Sequence, residues 1–300
     1  MIKLKSWIGA ARLRTLPLSL SGIIVGTAIA AHLGYFSIEI FALALATTLG
    51  LQILSNFAND YGDGVKGTDN DERIGPQRAL QSGLITHQEM KTGIIITSVV
   101  TLLIAVSLIY VAFGSENFIY SILFFFLGIG AIAAAIKYTV GESAYGYKGL
   151  GDIFVFLFFG LVSVYGSYFL YANQLNALVL LPATAIGFLS AGVLNLNNMR
   201  DREPDERAGK ITLAVKLGLS KARNYHYFLI FAAICCMLIY TVLSYQTWVD
   251  FLYIITFIPL LLHVNRVMKN KLPKLLDPEL KFLSLSTFAL ALLFAVGAVL

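Results

Sequence analysis

Long apolar runs alternate with short polar connections along nearly the whole chain. Nine runs are long enough to cross a bilayer, which takes roughly 20 mostly apolar residues. They fall near 17–33, 38–58, 93–113, 118–136, 152–172, 176–196, 226–245, 248–265 and 282–300. The pattern predicts an all-α fold: a polytopic membrane helix bundle forming one domain over 1–300. The two longest polar stretches, 59–92 and 197–225, each follow an even-numbered run and lie four runs apart. They end alike, in Gly83-Leu84-Ile85-Thr86 and Gly218-Leu219-Ser220. Thr86 and Glu89 predict a capping box opening the third helix, and Ser220 a cap for the seventh. This layout suggests a four-helix unit used twice, with a ninth helix appended.

Composition agrees with the pattern. Charged residues make up 13% and apolar residues 58% of the chain, against about 25% charged in a soluble domain. All 22 Lys and Arg residues precede the first run or lie in the second, fourth, sixth and eighth connections. The alternate connections, 33–37, 114–117, 173–175 and 246–247, carry none. Basic residues mark cytosolic loops, so the N-terminus and both long polar stretches are expected in the cytosol. The net charge of +5 then reflects topology, and no nucleic-acid partner is expected. The first run, ending in Ala28-Ile29-Ala30, has some look of a signal peptide. Its long basic lead and the Gly22…Gly26 spacing favour a packed first helix instead. Adjacent Cys235 and Cys236 indicate neither a disulfide framework nor a zinc site.

Two acidic clusters stand where even-numbered runs end. The first is Asn56 to Asp63, with Asn59 and Asp60 between them; the second runs from Asn197 and Asn198 to Asp201 and Asp205. At about 100° per residue, Asn56, Asp60 and Asp63 share one arc of a helix some 60° wide, with Asn59 about 40° beyond it. Asn198, Asp201 and Asp205 share a similar arc, although Pro204 places Asp205 just past the expected helix end. Magnesium takes oxygen ligands and is usually held by one or two carboxylates plus substrate phosphates. Two such corners facing one cavity suit Mg²⁺ and a diphosphate. Asn59, Asp63, Asp201 and Asp205 are the expected metal ligands, with Asn56, Asp69 and Asn198 as further oxygen donors. Asp60, Asp63, Asp201 and Asp205 are the expected catalytic carboxylates. Arg73, Arg78, Lys137 and Lys210 would neutralise the diphosphate. Tyr138, Tyr145 and Tyr147 bracket the fourth connection and could cover a ring between the corners. Gly128-Ile129-Gly130 and Gly149-Leu150-Gly151 lack the strand–turn–helix setting of a nucleotide loop.

The motif Asn59-Asp60-Tyr61-Gly62-Asp63, with the later Asp201-x-x-x-Asp205, resembles the paired aspartate motifs of the UbiA-type membrane prenyltransferase superfamily. Five stretches look more like its 1,4-dihydroxy-2-naphthoate polyprenyltransferase branch. They begin at Arg12, Asp60, Arg73, Tyr145 and Gly209, and include Arg73-Ile74-Gly75-Pro76 and Tyr145-Gly146-Tyr147. The broad superfamily often has a further Asp where this chain has Gly67, and Asp69 stands two residues on. The resemblance implies Mg²⁺-dependent transfer of a polyprenyl group from polyprenyl diphosphate to dihydroxynaphthoate. Loss of CO₂ would give demethylmenaquinone, in the inner membrane of a bacterium. The rival expectations are a different aromatic acceptor, such as 4-hydroxybenzoate, and a membrane transporter. Transporters tend to carry ionisable groups within their spans, and the mid-span regions here contain none.

Overall fold

The computed structural model describes residues 2–69, 74 and 77–300. Among them are nine helical spans long and apolar enough to cross a membrane, and no strand. They are α1 (Leu16–His32), α2 (Ile38–Val65), α3 (His87–Phe113), α4 (Phe118–Lys137) and α5 (Gly151–Ala172). The second half has α6 (Ala177–Arg200), α7 (Leu213–Ser244), α8 (Trp248–Lys269) and α9 (Pro273–Val299). An amino-terminal helix, Ile2–Ala11, precedes α1 and rests on α2, where Trp7 meets Phe57 edge-on. The protein is a multi-pass membrane protein.

The observed helices overrun the predicted runs mainly on the basic side. α2 continues to Val65, α3 starts at His87, α6 reaches Arg200 and α7 starts at Leu213. Local caps explain two of these starts. Thr86 and Glu89 form the expected capping box. Thr212 accepts from the Val215 amide at 3.4 Å, so α7 starts well before Ser220. The expectation for Ser220 is corrected accordingly: α7 runs through it, kinked at Gly218, whose φ of 71° suits glycine.

α2 pairs closely with α3, and α6 with α7, so each acidic motif sits at the turn of a helical hairpin. α9 packs along α1 and against α6, joining the ends of the chain into one bundle. Gly26 lets α1 approach α5: a Cβ there would lie 2.3 Å from the Val164 carbonyl. Within α5 the stretch Phe156–Gly166 winds as a π-helix. Its wider turn offsets the drift of an α-helical i, i+4 row. Both Phe154-Phe158-Val162 and Phe159-Ser163-Ser167 therefore face the central cavity. Behind that cavity, His226, His263, Glu279 and Arg266 form a chain across α7, α8 and α9, with links of 2.8, 2.6 and 2.5 Å.

Candidate active site

A cavity of about 520 Å³ runs between the helices. Its long wall is apolar, from Ala44, Leu108, Phe124 and Leu127 to Phe158 and Leu170. One end is polar. There Asn59 and Asp63 of α2 meet Asn197 and Arg200 of α6, with Arg12, Arg78 and Lys210 around them.

The first motif divides between two tasks. Asn59 and Asp63 are one turn apart and line the cavity. Asn56 and Asp60, also one turn apart, turn toward the amino-terminal segment. Asn56 donates to the Ala11 carbonyl at 2.9 Å. Asp60 sits 3.5 Å from Arg12 and 3.6 Å from Arg78, and accepts from the Ala79 amide at 3.2 Å. Arg12 occupies the left-handed region with φ of 49°, the turn that ends the amino-terminal helix beside Asp60. The shared arc expected from helical periodicity is thus split by what packs on each side. Asp69 pairs with Arg78 at 3.7 Å, away from the cavity lining.

Asp63 is almost fully buried and well partnered. Tyr147 donates to it at 2.7 Å, and Lys210 reaches it at 3.3 Å. Thr68 bonds the same Tyr147 hydroxyl at 2.6 Å. Burial and the Asp63 charge hold the Tyr147 hydroxyl above the usual tyrosine range, so it stays a donor. Burial favours the neutral form of Lys210, but Asp63 and Asp205 outweigh it and hold its ammonium above the usual lysine range. Lys66 lies 3.8 Å over the Tyr147 ring. Gly62 is required here, because a Cβ would fall 2.6 Å from the Thr139 hydroxyl. That close approach lets Thr139 reach the Ala58 carbonyl at 2.9 Å and Asn59 at 3.3 Å.

At the second motif Arg200 is the centre. It grips Asp201 through two bonds of 2.9 and 2.6 Å, bonds Asn197 at 2.9 Å, and pairs with Asp277 of α9. The helix breaks at Asp201, and a short helix, Arg202–Arg207, follows. Asp205 therefore lies past the end of α6, as expected, within this separate short helix. Pro204 sits in the first turn, where its missing N–H costs little. The Asp205 carbonyl accepts from the Lys210 amide at 2.8 Å, which aims Lys210 back toward Asp63. Asn198, Asp201 and Asp205 are buried behind the lining rather than on it.

The remaining candidates separate. Tyr138 and Tyr145 line the cavity. Tyr145 stacks on Phe154 with centroids 3.9 Å apart and donates to the Ala134 carbonyl at 2.8 Å. Tyr147 stands beneath the lining, on Asp63. Lys137 is exposed and extends over the Gly141 turn, outside the cavity, because it lies about 100° around the helix from Tyr138. Arg73, with the neighbouring Gly75-Pro76, lies outside the described residues. Among the described residues, no three His, Cys, Asp or Glu side chains converge enough to hold a metal by themselves.

Residues 19–285 match the UbiA prenyltransferase family. The chain belongs to that family. It is 44% identical to the 1,4-dihydroxy-2-naphthoate octaprenyltransferase of Haemophilus influenzae, over 98% of this chain and 96% of that protein. It is 43% identical to the Escherichia coli K12 enzyme of the same name, over 98% and 94%. A UbiA homologue from Aeropyrum pernix K1 has the same fold, with a TM-score of 0.71 at 16% identity over 95% of this chain and 97% of that one. A homologue from Archaeoglobus fulgidus, solved with DMAPP and Mg²⁺, gives a TM-score of 0.63 at 17% identity over 95% and 99%. The resemblance read from the aspartate motifs therefore holds.

For a member of this family, the sequence reading missed four residues that line the polar end: Arg14, Asn197 as a lining residue, Arg200 and Lys281. Arg200 was visible only as a basic residue beside the second motif. Arg14 and Lys281 come from opposite ends of the chain, and only the packing of the Leu13–Thr15 turn on α9 unites them.

Proposed function

We propose that this UbiA-family member transfers a polyprenyl group from polyprenyl diphosphate to 1,4-dihydroxy-2-naphthoate with loss of CO₂, giving the quinol form of demethylmenaquinone. One observation carries the reaction class: a single cavity is apolar along its length and gathers residues of both motifs at its polar end. The choice of acceptor is supported by the relatives 43–44% identical over nearly the full chain. We read the chain as one domain, with the motif end in the cytosol of a bacterium and the spans in its inner membrane, because every basic residue lies on that side.

The donor set fits a hard divalent cation. Asn59, Asp63 and Asn197 supply oxygen ligands, and among the described residues too few carboxylates converge to hold a bare ion. That is the arrangement Mg²⁺ takes when water and phosphate oxygens complete its shell. Asn59 and Asp63 would hold it from the first corner and Asn197 from the second, where Asp201 and Asp205 stand behind the lining. When bound, Mg²⁺ stabilises the charge that a departing diphosphate acquires.

The chain's own residues supply the rest. Lys210 and Arg78 neutralise the remaining phosphate charge, and the apolar wall takes the tail. Asp60 holds Arg12 and Arg78 at the mouth. The allylic carbon–oxygen bond breaks with its electron pair on the diphosphate. The electron-rich ring then bonds the allylic carbon. The carboxyl carbon leaves as CO₂, and its bonding pair restores the aromatic ring. Tyr138 and Tyr145 place aromatic faces beside this path. Arg14 and Lys281 line the cavity and have no carboxylate partner among the described residues. They suit the acceptor carboxylate better than Lys137, which points away.

The test is incubation of purified protein with dihydroxynaphthoate, a polyprenyl diphosphate and Mg²⁺. The expected product is the prenylated, decarboxylated quinol, identified by mass. Uptake into sealed vesicles with no lipid-linked product would favour a transporter.

A further inference from the structure

The apolar cavity has a floor built from aromatic rings on three helices. Phe124 of α4 lines the cavity and stacks on Phe169 of α5 at 5.8 Å, with planes 16° apart. Phe113 of α3 meets Phe124 edge-on at 5.0 Å, and Tyr120 sets its edge against Phe169 at 5.0 Å. Phe113 and Phe169 are buried. The backbone of α4 packs on α2 and α3, and this ring cluster ties it to α5.

Along α2 the lining runs from Asp63 at the mouth to Ala44 near the floor, about 28 Å at the helical rise. An extended chain advances about 3.3–3.6 Å for every three backbone bonds. An isoprene unit contributes four chain bonds, so roughly six units fit between mouth and floor.

We propose that Phe124, backed by Phe113 and Phe169, gauges the length of prenyl tail that the cavity encloses. The inference rests on the prenyl-diphosphate reading above. A tail entering from the bilayer exchanges one apolar medium for another, so enclosure brings packing rather than a hydrophobic gain. Discrimination then depends on where the cavity stops. Gly128 lies one turn from Phe124 on the same face, and a Cβ there would meet no atom within 4 Å. A larger side chain at Gly128 has room to enter the cavity and raise its floor.

The experiment uses full-length protein in lipid nanodiscs with Mg²⁺ and no acceptor. It is offered equimolar farnesyl, geranylgeranyl, hexaprenyl and octaprenyl diphosphates, and the retained donors are read by mass spectrometry. Phe124→Ala is expected to shift retention toward octaprenyl. Gly128→Phe is expected to shift it toward farnesyl by at least about tenfold, the discrimination a pocket makes against a misfit of a methylene or more. Each readout is a ratio within one protein, so yield cancels; Phe124→Leu and Gly128→Leu replace any variant that fails to fold. Retention in both variants identical to the parent's would overturn the gauge. Because no acceptor is present, failure to prenylate dihydroxynaphthoate would overturn the proposed reaction without touching this result. Failure to retain any donor would overturn both.

Discussion

Lys210, from the loop after the second acidic motif, reaches Asp63 of the first with Nζ 3.3 Å from Oδ2. One buried ion pair thus ties the two halves of the chain together at the mouth of the cavity. It also places a cation where the proposed metal would sit.

Lys210→Gln is therefore expected to have opposite effects on the two ligands. The affinity for Mg²⁺ should rise, because Asp63 no longer has a competing ammonium. The donor KM should rise at least tenfold, about 1.4 kcal/mol or more, because a charge-assisted bond to phosphate is lost. Without metal, the variant should melt earlier, since it leaves a buried carboxylate with less compensation. Metal titration and donor kinetics check both.

The pH dependence follows from the sign of that shift. The Lys210 ammonium is held above the ordinary lysine value by Asp63 and Asp205 despite its burial. Its contribution is fully present below the ordinary value and is lost only as pH rises through the raised one. Donor KM should therefore be flat between about pH 7 and 9. A break in donor KM in that window that disappears in Lys210→Gln would contradict the assignment.

The two halves of the first motif should separate by mutation. Asp63→Ala should cost at least about 10²-fold in turnover, since charge stabilisation at the departing group is lost. Asp60→Asn should chiefly lower thermal stability and loosen the Arg12 turn, because Asp60 braces Arg12 and Arg78. Asp63→Ala with near-normal turnover, in an assay that chelator abolishes and Mg²⁺ restores, would rule out the two-corner clamp.

Much of this was legible in the chain before any coordinates. The nine runs and the capping box at Thr86 follow from periodicity and cap chemistry, which are local. Both acidic motifs were legible too, because carboxylates at the ends of apolar runs stand out. What periodicity could not show is which side of each motif faces the cavity. Asn56 and Asp60 turn away because the amino-terminal segment docks on them, a contact far apart in sequence. Tyr147 looked like a ring for the acceptor, yet its hydroxyl is taken by Asp63 and Thr68. The π-helical winding of α5 has no signal in an almost uniformly apolar run.

The acceptor side gives a prediction that differs from one based on the tyrosines. Arg14→Gln and Lys281→Gln should each raise the acceptor KM several-fold and leave the donor KM near its parent value, as a contact common to ground and transition states does. Tyr147→Phe should instead leave the acceptor KM near its parent value, because its hydroxyl is taken by Asp63 and Thr68. Steady-state kinetics with each substrate varied in turn distinguishes these patterns.

The central claim is transfer to dihydroxynaphthoate with loss of its carboxyl group. It is tested most directly with carboxyl-labelled dihydroxynaphthoate and unlabelled 4-hydroxybenzoate, equimolar, with octaprenyl diphosphate and Mg²⁺. The account predicts prenylated naphthoquinol as the dominant product, with one labelled CO₂ released per prenyl group transferred. Faster prenylation of the benzoate, or a naphthoate product that keeps its label, would contradict it.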